Sequence, residues 1–331
     1  MTINKFLKRF RLLFVLLLLM VVLSFLSPYF LTQQNLSNVL WSVCVIAIMC
    51  CGAIYAPITG GIDLSVGAVA ALSGIIANYM MNVLGLPLWL SLVITLAAGL
   101  LIGLLNGVVT AKFRVPAFIV TMAAMTWLYG IAMVISQGSM ITILQPAGFL
   151  VIGGGKLLGF PVPIYIMVVC VILSHLLLRY LTYGRRALAV GANDVTAKLS
   201  GIDPDRTRIG AYMLSSFTAA LAGIVLASLS QQAFAGAAKG IELAVITALV
   251  VGGTSLAGGS GSVLGALVGA LIVGFIENGL NLLNIPASYH PIVTGVVILL
   301  ALILNTGVER PKWLHMPARS TKEPAKAGVP S

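Results

Sequence analysis

"LLFVLLLLMVVLSFL", residues 12–26, is apolar at every position except Ser24. A helix needs about 20 apolar residues to cross the roughly 30 Å hydrocarbon core of a bilayer. A transmembrane β-barrel would instead show segments of about ten residues with alternating polarity, and an unbroken run contradicts that. The rest of the chain agrees: its 331 residues are 60% apolar and 8% charged, with a mean hydropathy of +1.09. Soluble domains carry about a quarter charged residues. The chain therefore reads as all-α, a polytopic transmembrane helix bundle. The basic start "KFLKRFR" (5–11) has the charge order of a signal peptide, but no small-x-small cleavage site follows before "SPYF" (27–30). The first helix is expected to be retained.

Apolar runs and their breakers predict about ten spans, near 12–27, 39–58, 63–82, 88–110, 115–135, 161–181, 210–232, 242–257, 262–283 and 287–305. The expected organisation is a basic N-terminus (1–11), a membrane domain (12–305) holding a polar segment at 182–209, and a tail (306–331). Ten crossings place both termini on one side, which basic residues identify as cytoplasmic. On that orientation 17 of the 19 Lys and Arg residues lie inside, and only Lys156 and Lys239 lie outside. The net charge of +11 thus reads as topology plus attraction to anionic headgroups, with no nucleic-acid partner required. Cys44, Cys50, Cys51 and Cys170 all sit in apolar segments and read as small packing hydrophobes. The outer segment 137–161 contains "GGGK" (153–156), but no Ser or Thr follows the Lys, so it is not a phosphate-binding loop. The chain shows no Walker motif, and no metal or cofactor is expected.

Two stretches look alike, "GGIDLSVGAVAALSG" (60–74) and "GGTSLAGGSGSVLGALVG" (252–269). Each precedes an Asn-Gly pair, Asn106-Gly107 or Asn278-Gly279, and then Pro116-Ala117 or Pro286-Ala287. Two related halves are one reading, since internal repeats are common in transporters. Chance likeness between glycine-rich helices is the other.

An ionisable side chain inside a span is costly and is a functional suspect by default. The acids in this position are Asp63, Glu242 and Glu277. Asp63, after Thr59, Gly60 and Gly61 and near Ser65, is either the N-cap or first-turn acid of the third span, or part of a mobile helix break on a translocation path. Glu277, Asn281 and Asn284 fall at i, i+4 and i+7, with Asn278 beside them. They predict one polar stripe that either lines a solute route or bonds helices together. Gly261, Gly265 and Gly269 at four-residue spacing read as close helix packing. In the polar segment, Asn193 or Asp194 can cap a short helix "VTAKLS" (195–200) that Gly201 ends at the C′ position. Val195 and Leu199 give that helix an apolar edge, suited to a partner protein or to the membrane surface.

Several stretches, "GGIDLSVGA", "VPAFIVTMA", "GRRALAVGANDVTAKLSGID", "VVGGTSLAGGSG" and "GFIENGLNLL", together resemble the membrane subunit of ribose-type ABC importers, a family of carbohydrate permeases. The likeness extends over residues 26–305. It implies a multi-pass permease of the bacterial inner membrane that translocates a monosaccharide or related polyol. Its implied partners are a second permease copy, identical or not, a periplasmic solute-binding protein and a cytoplasmic ATPase subunit that holds the ATP. The family's coupling segment matches at Gly191, Asn193, Ala197, Gly201 and Ile202, with Asp194 between them, so the capped helix becomes the implied ATPase dock. Asp63, Glu277, Asn278 and Asn281 are the candidates for the pathway or its gating. Two positions depart from the family: Tyr129 stands where an Arg is expected, and Ala244 where an Asp is expected. A charge pair in relatives, replaced here by an apolar contact, would account for both. The rival readings are a secondary symporter using Asp63 or Glu277, and a scaffold that transports nothing.

Overall fold

The computed structural model describes residues 3–143 and 146–305; the expected tail, 306–331, lies outside the described residues. In chain order the helices are α1 (Ile3–Leu26), α2 (Gln33–Ala53), α3 (Tyr55–Ile58), α4 (Val66–Asn78), α5 (Leu88–Lys112), α6 (Ala117–Ile135), α7 (Ala147–Gly154), α8 (Val162–Arg179), α9 (Thr182–Ala192), α10 (Asp194–Leu199), α11 (Pro204–Ser230), α12 (Ile241–Val251), α13 (Val263–Leu282) and α14 (His290–Asn305). A π-helical turn, Tyr79–Val83, extends α4. Among the described residues seven helical stretches are long and apolar enough to cross a bilayer, and Leu12–Leu26, Ile241–Val251 and His290–Leu300 are shorter apolar helices. Seven of the ten expected spans coincide with these long stretches, and the other three, 12–27, 242–257 and 287–305, overlap the shorter helices. The helix of α1 already begins at Ile3, so the basic segment 3–11 continues the first helix rather than preceding it.

Helix α11 runs through the middle of the bundle and packs on α5, α2, α4 and α7. It starts sharply because Asp203 caps the amides of Asp205 and Arg206, with Pro204 at the first helical position. Small residues let α5 approach it closely. A β-carbon added at Gly103 would stand 2.4 Å from the Tyr212 carbonyl oxygen, and one at Gly107 2.7 Å from the Ile209 α-carbon. Helices gain no hydrophobic drive to associate within lipid, so close packing of this kind holds the bundle together. Gly265 and Gly269 press α13 on α12 at Gly252 and Ala248, as their spacing predicts. Gly261 precedes α13 and meets Ile58 instead. Helix α1 packs on α13, where Leu23 covers Gly279, and joins Phe30, Val43 and Phe275 in a second apolar cluster. The four cysteines are free thiols, three buried and Cys170 partly so.

The bundle has a basic end, where Arg114, Arg208 and the cations of α9 and α10 gather around the N-terminus of α11. At the opposite end two short antiparallel ribbons join β1 (Ile141–Thr142) to β4 (Gln232–Ala233), and β2 (Lys156–Leu157) to β3 (Phe160–Pro161). Lys156 lies on β2, at a two-residue hairpin turn, and the glycines of "GGGK" end α7. Between the ribbons α7 packs against α11, with Ser228 accepting from the Gly153 amide and donating to the Phe149 carbonyl, both at 2.6 Å. This helix was not anticipated from the apolar outer segment.

The markers of the two look-alike halves stand on different elements. Gly60 and Asn106 are separated by all of α4 and most of α5, whereas Gly252 and Asn278 are separated only by the approach to α13 and that helix itself.

Candidate functional site: a capped helix joined to two helix breaks

At the basic end α10 forms as its sequence dictates. The Asn193 side chain accepts from the Thr196 amide at 2.9 Å, which makes Asn193 the N-cap and leaves Asp194 as the first helical residue. Ser200 is the C-cap, and Gly201 follows at φ +78°. The Ile202 amide donates to the Ala197 carbonyl and the Gly201 amide to the Lys198 carbonyl, both at 3.0 Å. This double closure is a Schellman stop, which needs a residue that tolerates positive φ. Val195 and Leu199 are 69% and 84% exposed, so the expected apolar edge is free. Beside it opens a cleft of about 560 Å³ lined by Arg114, Asp194, Val195, Lys198 and Ile202. The polar segment holds more structure than the sequence reading allowed, because residues 182–192 form α9, whose Gly184, Ala187 and Val190 are buried. Their spacing of three is half of a helical stripe, masked by the charges around it.

Helix α9 and α10 are joined directly to the two non-helical breaks of the membrane domain. A β-carbon at Gly191 would stand 1.7 Å from the Ile58 carbonyl oxygen and 2.5 Å from the Gly259 nitrogen. Across that contact the Gly259 amide donates to the Ile58 carbonyl at 3.0 Å. Three segments thus meet with backbone against backbone: the end of α9, the end of α3 before "GGID", and the glycine loop before α13. Arg208 makes a second tie. Its guanidinium pairs with Asp194 and reaches the Thr59 carbonyl oxygen at 3.4 Å. Arg208, Tyr212 and Ser215 lie at i, i+4 and i+7 on α11, one face of that helix, and that face covers the first break.

Asp63 lies in this break, 5% exposed, between α3 and α4. Its carboxylate accepts from the Ser65 amide at 2.9 Å, the Ser65 hydroxyl at 2.6 Å and the Ser215 hydroxyl at 2.6 Å. Asn106 of α5 donates to Ser65 Oγ at 3.0 Å, and Thr121 of α6 donates to the Ile62 carbonyl at 3.2 Å. The expected role as N-cap is corrected in detail. Ser65 holds the cap position of α4 and makes no side-chain cap bond, while Asp63 folds the loop before it and fastens that loop to α11. The space beside Asp63 is only about 10 Å³, about the size of a single water site. Ser65, Asn106, Arg208 and Ser215 were not singled out as site residues by sequence reading. Ser65 stood out only as a neighbour of Asp63 and Asn106 only as half of an Asn-Gly pair, and Arg208 and Ser215 showed nothing that joined them to Asp63.

The stripe expected on α13 comes apart. Asn278 exchanges amide hydrogen bonds with Asn35 of α2, at 2.7 and 3.1 Å, and so bonds helices together. Asn281 is exposed, and Asn284 sits at φ +54° as the stop after α13, its amide bonded to Asn281 and that of Ile285 to Leu280. Asn284 therefore ends the helix and lines nothing along it. Glu277 faces a cavity, shared with Asn38, Trp41 and Ser42 of α2. The third acid, Glu242, is buried at the start of α12, accepts from the Gly240 amide at 3.1 Å and packs on Gly67 of α4.

Ala244 is buried two residues further on, and Tyr129 of α6 packs against the same core, its hydroxyl unpartnered and within electrostatic reach of Glu242. This gives the two family departures unequal consequences. Tyr129→Arg alone would find the Glu242 carboxylate, whereas Ala244→Asp alone would bury an unpaired carboxylate. A buried unpaired charge costs about 3–5 kcal/mol. We expect Ala244→Asp to reduce the folded yield in detergent most, Tyr129→Arg less, and the double variant to recover much of the loss. Additive losses, measured as monodisperse protein on size exclusion, would sink the pairing.

The arrangement is that of a transport subunit: a bundle of apolar helices, two glycine-rich breaks, and an exposed helix at the basic end joined to both. Among the described residues no group of three or more His, Cys, Asp or Glu side chains is placed to hold a metal ion. Comparison with known proteins identifies the class. Residues 35–302 match the family described as branched-chain amino acid transport system / permease component, and the chain belongs to that family. It is 40% identical to the ribose import permease protein of Haemophilus influenzae, over 92% of this chain and 94% of the relative. The corresponding protein of Bacillus subtilis is 39% identical over 88% and 90%. The L-arabinose transport system permease protein of Escherichia coli K12 is 35% identical over 92% of both chains. No solved structure matches the chain. The protein is a multi-pass membrane permease and not an enzyme.

Proposed function

We propose that this chain forms the path by which a monosaccharide, with pentoses first among the candidates, or a related polyol enters a bacterial cell. A separate cytoplasmic ATPase subunit supplies the energy, and a periplasmic binding protein delivers the solute. The names of the ribose and arabinose relatives support the substrate class. In the mature assembly two permease copies stand side by side, and ATP stays on the partner subunit. The ten apolar helices cross the inner membrane with both termini inside. The segregation of cations supports this orientation, since the basic end carries α9 and α10 while Lys156 and Lys239 adjoin the ribbons at the other end.

The observation that carries the mechanism is α10 itself. It is capped at both ends, it offers Val195 and Leu199 to a partner, and it is tied through Asp194 and Arg208 to the first break. Closure of the ATPase dimer would push on α10, and Gly191 and Arg208 would pass the movement to the breaks before α4 and α13. Helices pivoting at those breaks would then change which side of the bundle is open. Asp63 is the latch of the first break, holding it on α11 in this conformation.

Copurification tests the reading. Tagged at near-native expression and extracted in mild detergent, the chain is expected to bring down an ATPase subunit, and Leu199→Glu is expected to release it without changing the chain's own elution. If folded, abundant protein recovers no ATPase, the coupling assignment fails and the symporter or scaffold reading replaces it.

A further inference from the structure

The cavity that Glu277 faces has no role in the coupling machinery, and its lining has a definite chemistry. It measures about 350 Å³ and lies between α2, the C-terminal end of α11, the start of α12 and α13. That is within the range of small-molecule sites, about 300–1,000 Å³. Its floor is apolar, from Val45, Ile46, Leu229 and Ile241, and its polar groups come from two helices, Asn38, Trp41 and Ser42 on α2 and Glu277 on α13. Glu277 lies 14 residues beyond Val263 on α13, which at about 1.5 Å per residue puts it about 21 Å from the basic end. The cavity thus sits toward the end of the bundle farthest from α10.

Three observations point to a ligand. Glu277 accepts no hydrogen bond from the described residues, although an acid on a membrane-spanning helix ordinarily faces a polar partner or water. The Trp41 indole N–H is also without a partner. The Asn38 amide uses its oxygen, which accepts from Gln34 at 3.4 Å, and leaves its N–H groups free. Beside this set, the imidazole of His290 stands within electrostatic reach of Glu277 and is fixed by the Ile285 carbonyl oxygen at 3.3 Å. A carboxylate can accept from two neighbouring hydroxyls, a primary amide can donate to ring or hydroxyl oxygens, and an indole offers a flat apolar face for C–H bonds. A polyhydroxylated ring matches that combination. An apolar solute would leave the acid and amide unsatisfied, and an anion would be repelled by Glu277.

We propose that this cavity is a low-affinity sugar subsite on the entry side of the permease, in which Glu277 and Asn38 hold hydroxyls and Trp41 packs against the ring. The inference rests on the sugar-import reading and adds a place and named contacts to it. Weak binding suits a permease whose partner supplies the affinity, because a solute held tightly here would be released slowly.

The test uses the assembled transporter in lipid nanodiscs, with Trp89, Trp127 and Trp313 replaced by Phe so that Trp41 is the sole permease tryptophan, and an ATPase subunit whose own tryptophans are likewise replaced. D-ribose, L-arabinose, D-glucose and mannitol are titrated into the millimolar range while Trp41 emission is followed. A saturable change with at least one of them is expected, with its midpoint shifted about tenfold by Glu277→Gln in protein of unchanged elution. No response to any of the four, or a response that Glu277→Gln leaves unaltered, overturns the subsite. Import of the same sugars into proteoliposomes, with the binding protein present, is measured separately. Import without a Trp41 response defeats the subsite and spares the sugar-import reading. A Trp41 response without import keeps the subsite and defeats that reading.

Discussion

Gly191→Ala is expected to abolish import and to lower the thermal midpoint of the purified chain more than any other single methyl addition in the segment 182–209. The new β-carbon would stand 1.7 Å from the Ile58 carbonyl oxygen, at most half the distance of an ordinary contact. Neither neighbour can yield, since both are backbone. The end of α9 must move off the first break, and the Gly259–Ile58 hydrogen bond lies in the way. Overpacking alone costs about 1–3 kcal/mol and occasionally more, and an orphaned buried backbone group adds about 1–3 kcal/mol. Gly201→Ala is the comparison. Its site is open, so only the positive φ of +78° is unfavourable, at roughly 1–2 kcal/mol. Thermal unfolding followed by size exclusion ranks the two, and equal losses would show that the junction at Gly191 is not tight in the folded protein.

Asp63→Ala should be the second severe change, whereas Asp63→Asn should be mild. Alanine leaves the Ser65 amide and the hydroxyls of Ser65 and Ser215 without their acceptor, at about 1–3 kcal/mol for each buried orphan. The first break then loses its hold on α11, and little folded protein should be recovered. Asparagine keeps one oxygen for Ser65 and turns an N–H toward Ser215, so yield should be close to the parent chain. Because the space beside Asp63 is too small for a solute, import by Asp63→Asn is expected to stay within about threefold of the parent, the factor that corresponds to a loss of half a typical hydrogen bond. A folded Asp63→Asn protein that imports tenfold more slowly would instead assign the negative charge itself to the mechanism.

Much of the fold was legible in the residues because its determinants are local. Hydropathy over about 20 residues places each long apolar helix, whatever it packs against, but not the eight-residue α7. The Asn193 cap and the Gly201 stop of α10 depend on hydrogen bonds within five residues along the chain, so the sequence determined that helix on its own, together with its exposed Val195 and Leu199. The charges of the loops likewise pointed to one end of the bundle before any packing was known.

The candidate site was legible only in outline, because its contacts join residues far apart in the chain. Ser215 reaches Asp63 across 152 positions and Asn278 reaches Asn35 across 243, and nothing in a helical period says which helix another will face. The period put Glu277, Asn278, Asn281 and Asn284 together, yet the tertiary structure gave them four roles: a cavity acid, an interhelical bond, a surface position and a helix stop. Gly191 shows the same limit, since a missing side chain carries no signature of the backbone pressed against it. Membrane class, the positions of the long apolar helices and the capped α10 thus came from the sequence alone; the latch at Asp63, the tie at Arg208 and the cavity at Trp41 were decided by helix packing, which is non-local and set by shape.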